Sequence, residues 1–256
     1  MKNILFLFTI FSLISCKTEK TNKITEVKRS NKIISKIIER KYAYSTGNKK
    51  MIIETHSEFN DFGKLLSNTE YRNYSTKSNP NLPLERLTFT KYYYNENSEL
   101  IKEEEIDENN KISQLKTFEK IDNRTLYKTF KNNILIQKGE IIYNSKKQIL
   151  RETIDLFGPD YLTQKKTVIT KIYDENGNLI IDEITHIDKE NKSETHKQEL
   201  EYKNNLLIKF KNGLTEGTDI IYKYEFDNYN NWILRNEMGE GENNPIITTE
   251  REISYK

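Results

Sequence analysis

Apolar and charged side chains alternate along much of this chain, as in Tyr222-Lys-Tyr-Glu-Phe226 and Leu206-Leu-Ile-Lys-Phe-Lys211. A period of two sends successive side chains to opposite faces, which predicts half-exposed β-strands rather than helices. Asn31 to Tyr44 is the one ambiguous stretch: Ile33, Ile34, Ile37 and Ile38 fit a helical face after a Ser30 or Asn31 cap. Its β-branched density favours a strand, turning at Ser45-Thr-Gly-Asn48 into Met51 to Glu58. Loops are predicted at Ser75 to Pro83, at Leu156 to Tyr161 around Gly158-Pro159, and at Glu237 to Pro245. The dense charge of Leu100-Ile-Lys-Glu-Glu-Glu-Ile106 reads as a solvated strand face.

A second pattern is laid over the first. An aromatic, then Asn or Asp, then polar positions and a large apolar residue six places on recur at Phe59 to Leu65, Tyr94 to Leu100 and Tyr143 to Ile149. Further copies are Tyr173 to Leu179 and Phe226 to Trp232, while Ile106 to Ile112 keeps the spacing without the aromatic. Two tighter variants match each other, Phe130-Lys-Asn-Asn-Ile134 and Tyr202-Lys-Asn-Asn-Leu206. Asn, Asp and Gly tolerate the left-handed backbone of tight hairpin turns, so each copy predicts a β-hairpin. The even offset puts the flanking residues on one face as a cross-strand pair, worth about 0.2 to 1 kcal/mol. The expectation is an all-β fold, an antiparallel meander of repeated hairpins forming one domain over residues 32–256. Whether it is an open twisted sheet, a sandwich or a partial barrel is left open by the pattern, since each buries one face of an amphipathic sheet. Lys209, Lys211, Lys223 and Glu225 would face water and discourage edge pairing.

The N-terminus breaks both patterns. Lys2 precedes an apolar run from Ile4 to Ile14, too short for the roughly 20 residues a membrane-spanning helix needs. Leu13-Ile14-Ser15-Cys16 resembles the lipobox of bacterial lipoproteins. The resemblance implies that residues 1–15 are a signal peptide and that Cys16, the lone cysteine, becomes an acylated N-terminus. An ordinary secretory signal with a leftover thiol is the alternative. Residues 16–31, polar and without hydrophobic period, read as a lipidated tether. The implied location is the bacterial cell envelope, at the outer membrane, with the periplasmic and surface leaflets both open. The copies at Tyr173 and Phe226, with the Asn231-Trp232-Ile-Leu-Arg235 ending, resemble the YD (RHS-type) repeats of bacterial surface proteins, and the ending resembles repeat-bearing Bacteroidetes lipoproteins. That family implies β architecture and supplies no catalytic residues.

Composition narrows the chemistry. With 41 Lys and Arg against 39 Asp and Glu, a net charge of +2 gives no reason to expect a nucleic-acid partner. One cysteine excludes an intramolecular disulfide or a multi-cysteine zinc site. No nucleotide-binding loop, nucleophile elbow or zinc-protease motif is present, so neither a cofactor nor an enzymatic activity is expected. His186 and His196 could lie opposite each other on a hairpin turning near Glu190-Asn191, with Glu183 and Glu194 nearby; exposed histidines on a polar hairpin are the bland reading, as for His56. Tyr92-Tyr93-Tyr94 and Tyr42-Ala-Tyr44 could make an aromatic platform for sugars or peptides, or be strand formers; Trp232 reads as a hairpin anchor. Glycosylation sequons at Asn73, Asn123 and Asn191 are read as chance. The functional expectation is a lipid-anchored binding or scaffolding module with a protein or glycan partner. A toxin-immunity or inhibitor lipoprotein is the alternative, and an envelope glycan hydrolase a weaker one.

Overall fold

The computed structural model describes residues 32–45, 48–74, 82–157, 164–212 and 219–256, so the signal segment, Cys16 and the tether lie outside the described residues. Every regular element among the described residues is a strand. In chain order they are β1 (Ile34–Ser45), β2 (Asn48–Phe59), β3 (Leu65–Arg72), β4 (Glu85–Tyr94), β5 (Leu100–Ile106), β6 (Ile112–Ile121), β7 (Arg124–Lys131) and β8 (Ile134–Tyr143). The second half continues with β9 (Ile149–Leu156), β10 (Gln164–Tyr173), β11 (Leu179–Asp188), β12 (Ser193–Lys203), β13 (Leu206–Asn212), β14 (Ile220–Phe226), β15 (Trp232–Gly239) and β16 (Ile247–Tyr255). Each pairs antiparallel with its chain neighbours, and β1 pairs with β16, so the meander closes into a sixteen-stranded barrel. Of the architectures left open above, a barrel is formed, and it is complete rather than partial. Closure pairs both edges, which an open sheet of this length would leave as templates for aggregation.

Of the Asn31 to Tyr44 stretch, Ile34 to Tyr44 lie in the strand β1, as the β-branched density predicts; Lys32 and Ile33 precede it, and Asn31 lies outside the described residues. Two expected boundaries move: β9 runs through Leu156, and β15 runs through Glu237 to Gly239, so both loops begin later than predicted; residues 75–81 and 158–161 of the predicted loops lie outside the described residues. Glu237 is kept in the ladder by pairing with both Tyr222 and Ile247.

The repeat is realised as local turn chemistry. In the six-residue copies the Asn or Asp after the aromatic caps its own turn: Asn60, Asn95, Asn144, Asp174 and Asp227 each accept at Oδ1 from the backbone N–H four residues on. The third residue beyond each cap takes positive φ, at Gly63, Ser98, Lys147, Gly177 and Asn230. Aromatic and aliphatic then face each other across the strands, as Phe59↔Leu65, Tyr94↔Leu100, Tyr143↔Ile149, Tyr173↔Leu179 and Phe226↔Trp232. The tighter variants use a two-residue turn with both asparagines at positive φ, Asn132-Asn133 and Asn204-Asn205. Their pairs are Phe130↔Leu135 and Tyr202↔Leu207, one residue further on than the sequence spacing suggested. All the aromatic-led six-residue turns, with the Asn204-Asn205 turn, fall at one end of the barrel, because each joins an even-numbered strand to the next odd one.

Strand pairing divides the side chains between the two walls. Ile37, Tyr127, Thr129, Ile141, Thr167, Ile184 and Thr249 are buried and share one face, which is the inner wall. Met238 and Thr248 are the buried exceptions, on the outer face beside the 240–246 segment. Sixteen strands enclose a lumen wider than side chains can fill. Accordingly most inward residues are half-buried against their neighbours.

Candidate functional site

The outer wall carries ion pairs. At mid-strand Arg40 bonds Glu54 at 2.6 Å and reaches Glu252 at 3.4 Å, and Lys102 pairs with Glu104 at 2.9 Å; Arg124, the first residue of β7, pairs with Glu140 at 3.1 Å. Lys211 meets Glu201 at 2.6 Å, and Lys197 meets Glu199 at 2.8 Å. Lys223 and Glu225 are exposed on the same wall, as the alternation predicts. A lipid-facing wall would instead be apolar, since Lys or Arg at a bilayer midplane costs about 2 to 4 kcal/mol each.

The inner wall is where aromatic and charged groups converge. Tyr92 and Tyr94 from β4, Tyr127 from β7, Tyr173 from β10, Tyr202 from β12 and Tyr222 and Tyr224 from β14 all face the lumen. Several are fixed by hairpin-to-hairpin bonds: Tyr94 donates to the Leu65 carbonyl at 2.9 Å, Tyr173 to that of Ile149 at 2.8 Å, and Tyr224 to that of Leu207 at 2.9 Å. Burial pushes the phenol of Tyr202 up to about 12, and raises those of Tyr92, Tyr127 and Tyr222 further. All four stay protonated donors at neutral pH.

Two charged clusters sit in this girdle. In the first, the Arg251 guanidinium lies 3.3 Å from the Trp232 ring centroid and bonds Glu39 at 2.6 Å; Arg235 lies 5.3 Å from the same ring and bonds Glu237 at 2.8 Å. Burial lowers the Arg251 pKa, while Glu39 holds its charge. Trp232 also meets Tyr224 edge-on at 6.0 Å, so it is a hairpin anchor that carries two arginines besides. In the second cluster Glu103 opposes Lys116, whose ammonium lies 4.0 Å from the centre of the Tyr127 ring. Tyr127 crosses over Gly139 and donates to Glu152 at 2.7 Å. Burial raises the Glu103 carboxyl above its ordinary range although Lys116 favours its charge. Glu103 and Glu152 stand four strands apart, on the order of 19 Å along the sheet, so they do not make a glycosidase pair. Among the described residues, the buried side-chain atoms without a hydrogen-bond partner are Glu70 Oε1, which Arg72 approaches to 3.9 Å, Thr129 Oγ1, Asp182 Oδ1, Arg235 Nε and Thr249 Oγ1, and every one belongs to the inner wall.

Several sequence expectations change here. The acidic run on β5 is not a solvated face: Glu104 is on the outer wall, held by Tyr93 at 2.6 Å and Lys102 at 2.9 Å, while Glu103 and Glu105 face the lumen. The pleat splits Tyr92-Tyr93-Tyr94, turning Tyr93 outward between two lumenal rings, whereas Tyr42 and Tyr44 share the outer wall, with the Lys49 ammonium 4.0 Å from the centre of the Tyr42 ring and the Tyr44 hydroxyl 3.1 Å from that of Thr248. The lumenal tyrosines come from different strands, a grouping without a linear signature. His186 opposes Glu194 rather than His196, which opposes Ile184, so the imidazoles are diagonal neighbours with centroids 6.0 Å apart. Glu183 is on the outer wall, and among the described residues no group of three or more His, Cys, Asp or Glu is placed to hold a metal. His56 is on the outer wall, bonded to Glu54 at 2.8 Å. Sequon residues Asn123 and Asn191 lie in turns, and Asn73 just beyond β3.

No family model and no curated protein sequence matches this chain. Solved structures do. A porin-like protein from Bacteroides uniformis superposes with a TM-score of 0.56 at 13% identity, covering 86% of this chain and 98% of its own. A porin-like protein from Bacteroides vulgatus gives 0.38 at 8% identity, covering 88% and 99%. The Photorhabdus luminescens Tc holotoxin pore gives 0.30 at 13% identity, covering 84% of this chain and 14% of that one. The first likeness establishes a shared barrel fold.

Proposed function

We propose that this protein is a lipid-anchored component of the bacterial cell envelope, held at the outer membrane through Cys16, whose barrel stands in water and binds a partner in its lumen. The observation that carries this reading is the division of chemistry between the two walls. Paired Lys, Arg and Glu stand on the outside within β1, β2, β5 and β12, where a spanning barrel would need an apolar band. Membrane attachment then falls to the N-terminal lipobox, where two or more acyl chains suffice for stable anchoring. Inside, tyrosines, a Trp–Arg pair and unpartnered polar atoms present stacking faces and hydrogen-bonding groups together. That combination suits an extended glycan or peptide strand, bound without a chemical step. The YD-type repeat supplies the hairpins of the scaffold.

Fatty-acid labelling and fractionation test the anchor. The native chain should take up label and require detergent for extraction, whereas Cys16→Ala should be unlabelled. That variant keeps the apolar Ile4–Ile14 run, so solubility is read on residues 17–256 exported behind a cleavable secretory signal: this protein should need no detergent, and a need for it would mean that the barrel itself is membrane-embedded. Trp232 emission, followed while envelope glycan fragments are titrated in, tests the lumen; the response should vanish when Tyr222 and Tyr224 are both replaced by Ser.

A further inference from the structure

The two ends of the barrel differ in what they expose. At the end carrying the aromatic-led turns, one sector of the rim is apolar and basic. Phe62, at the tip of the β2–β3 turn, is 84% exposed, and Tyr229, at the tip of the β14–β15 turn, and Ile33, before β1, are also open. Lys32 and Lys64 are exposed beside them, with Lys32 lying 5.1 Å from the centre of the Tyr229 ring. Lys256 forms an ion pair with Asp61, and its backbone N–H donates to the Ile33 carbonyl at 2.8 Å, so the first and last described residues are both in this sector. Asp227 in the β14–β15 turn accepts from the Asn231 backbone N–H within that turn and from the Tyr255 hydroxyl of β16. Other turn tips of the same rim are polar: Glu96-Asn97-Ser98, Ser145-Lys146-Lys147 and Glu175-Asn176-Gly177.

We propose that this sector, built from Ile33, Phe62 and Tyr229 with Lys32 and Lys64, is a membrane-contact surface that seats the barrel end-on upon lipid headgroups. The inference rests on the anchoring reading. Residues 17–31, between Cys16 and the barrel, span at most about 50 Å when fully extended, and they join the barrel at this rim. An acylated Cys16 therefore draws this end toward the bilayer. Aromatic rings with an apolar body and nearby ammonium groups settle at the headgroup level, about 5 to 10 Å deep. The contact goes no deeper, because the outer wall beyond it carries Arg40, Glu54 and Glu252. Exposed apolar residues at the opposite end, Ile112, Ile134 and Ile246, lie a full strand length away and cannot meet the same lipid plane.

The test uses full-length lipoprotein reconstituted into phosphatidylcholine vesicles containing brominated acyl chains, which quench tryptophan at the headgroup–acyl boundary. In a Trp232→Phe background, Phe62→Trp should lose most of its emission, and Ile134→Trp should lose none. Quenching of Ile134→Trp instead, or of neither variant in protein that floats with the vesicles and carries acyl mass on Cys16, overturns the orientation while leaving the anchor intact. Protein that neither floats nor carries acyl mass overturns the anchor, and the orientation falls with it. Circular dichroism confirms that each variant is folded before it is scored.

Discussion

Gly139 marks the tightest contact on the inner wall. A Cβ at this position would lie 2.1 Å from the Tyr127 ring, which is 3% exposed and tied to Glu152. Gly139→Ala should therefore force the ring out and lower stability by about 1 to 3 kcal/mol, seen as an earlier denaturation midpoint. Trp232 is half-buried rather than buried, so Trp232→Ala should cost roughly 2 kcal/mol, below the range for fully buried aromatic residues. Glu103 supplies a pH dependence. Its folded-state pKa is raised by burial, so the folded protein retains a proton that the unfolded chain releases above about 4.3. Its contribution is fully present below that value and is lost as pH rises through the folded pKa. Glu103→Gln should flatten this part of a stability-versus-pH curve measured by urea denaturation between pH 4 and 8. Nothing in Leu100-Ile-Lys-Glu-Glu-Glu-Ile106 distinguishes Glu103 from Glu104 in sequence; only the phase of the pleat sends one inward and the other to the outer wall.

Hairpin turns are the elements most legible in the chain. Their Asx caps, positive-φ positions and aromatic–aliphatic pairs all follow from a few residues in a row, so the recurring spacing carries their geometry. Where a copy departs from the ideal residue, a stability gain is available. Lys147 sits at φ 61° in the position that Gly177 occupies in its own copy, so Lys147→Gly should raise stability by about 0.5 to 1 kcal/mol, measured from the thermal midpoint. Gly177→Ala should cost about as much, because φ there is 85°. The tight variants show the limit of spacing: a two-residue turn shifts the facing pair by one, so Tyr202 meets Leu207 and not Leu206. Glu237 to Gly239 were misplaced as a loop because their ladder partners, Tyr222 and Ile247 among them, cannot be read from local composition.

At the scale of the whole molecule, closure decides which of two amphipathic faces becomes an interior. Both faces carry charge, so the polar pattern that marks a strand does not say which side is enclosed. On the reading proposed above, residues 17–256 freed of the Ile4–Ile14 segment should run on gel filtration without detergent as a soluble particle. Aggregation relieved only by detergent would contradict that reading. Strand, turn and repeat are written in the chain, since these depend on alternation and on side chains that bond their own backbone within a few residues. The pairing of β1 with β16, the two clusters built around Trp232 and Tyr127, and the meeting of Ile33 and Lys256 with the Phe62 turn at one rim exist only in the folded barrel. Each joins residues far apart in the chain, and it is the strand number and register of the closed sheet that bring them together.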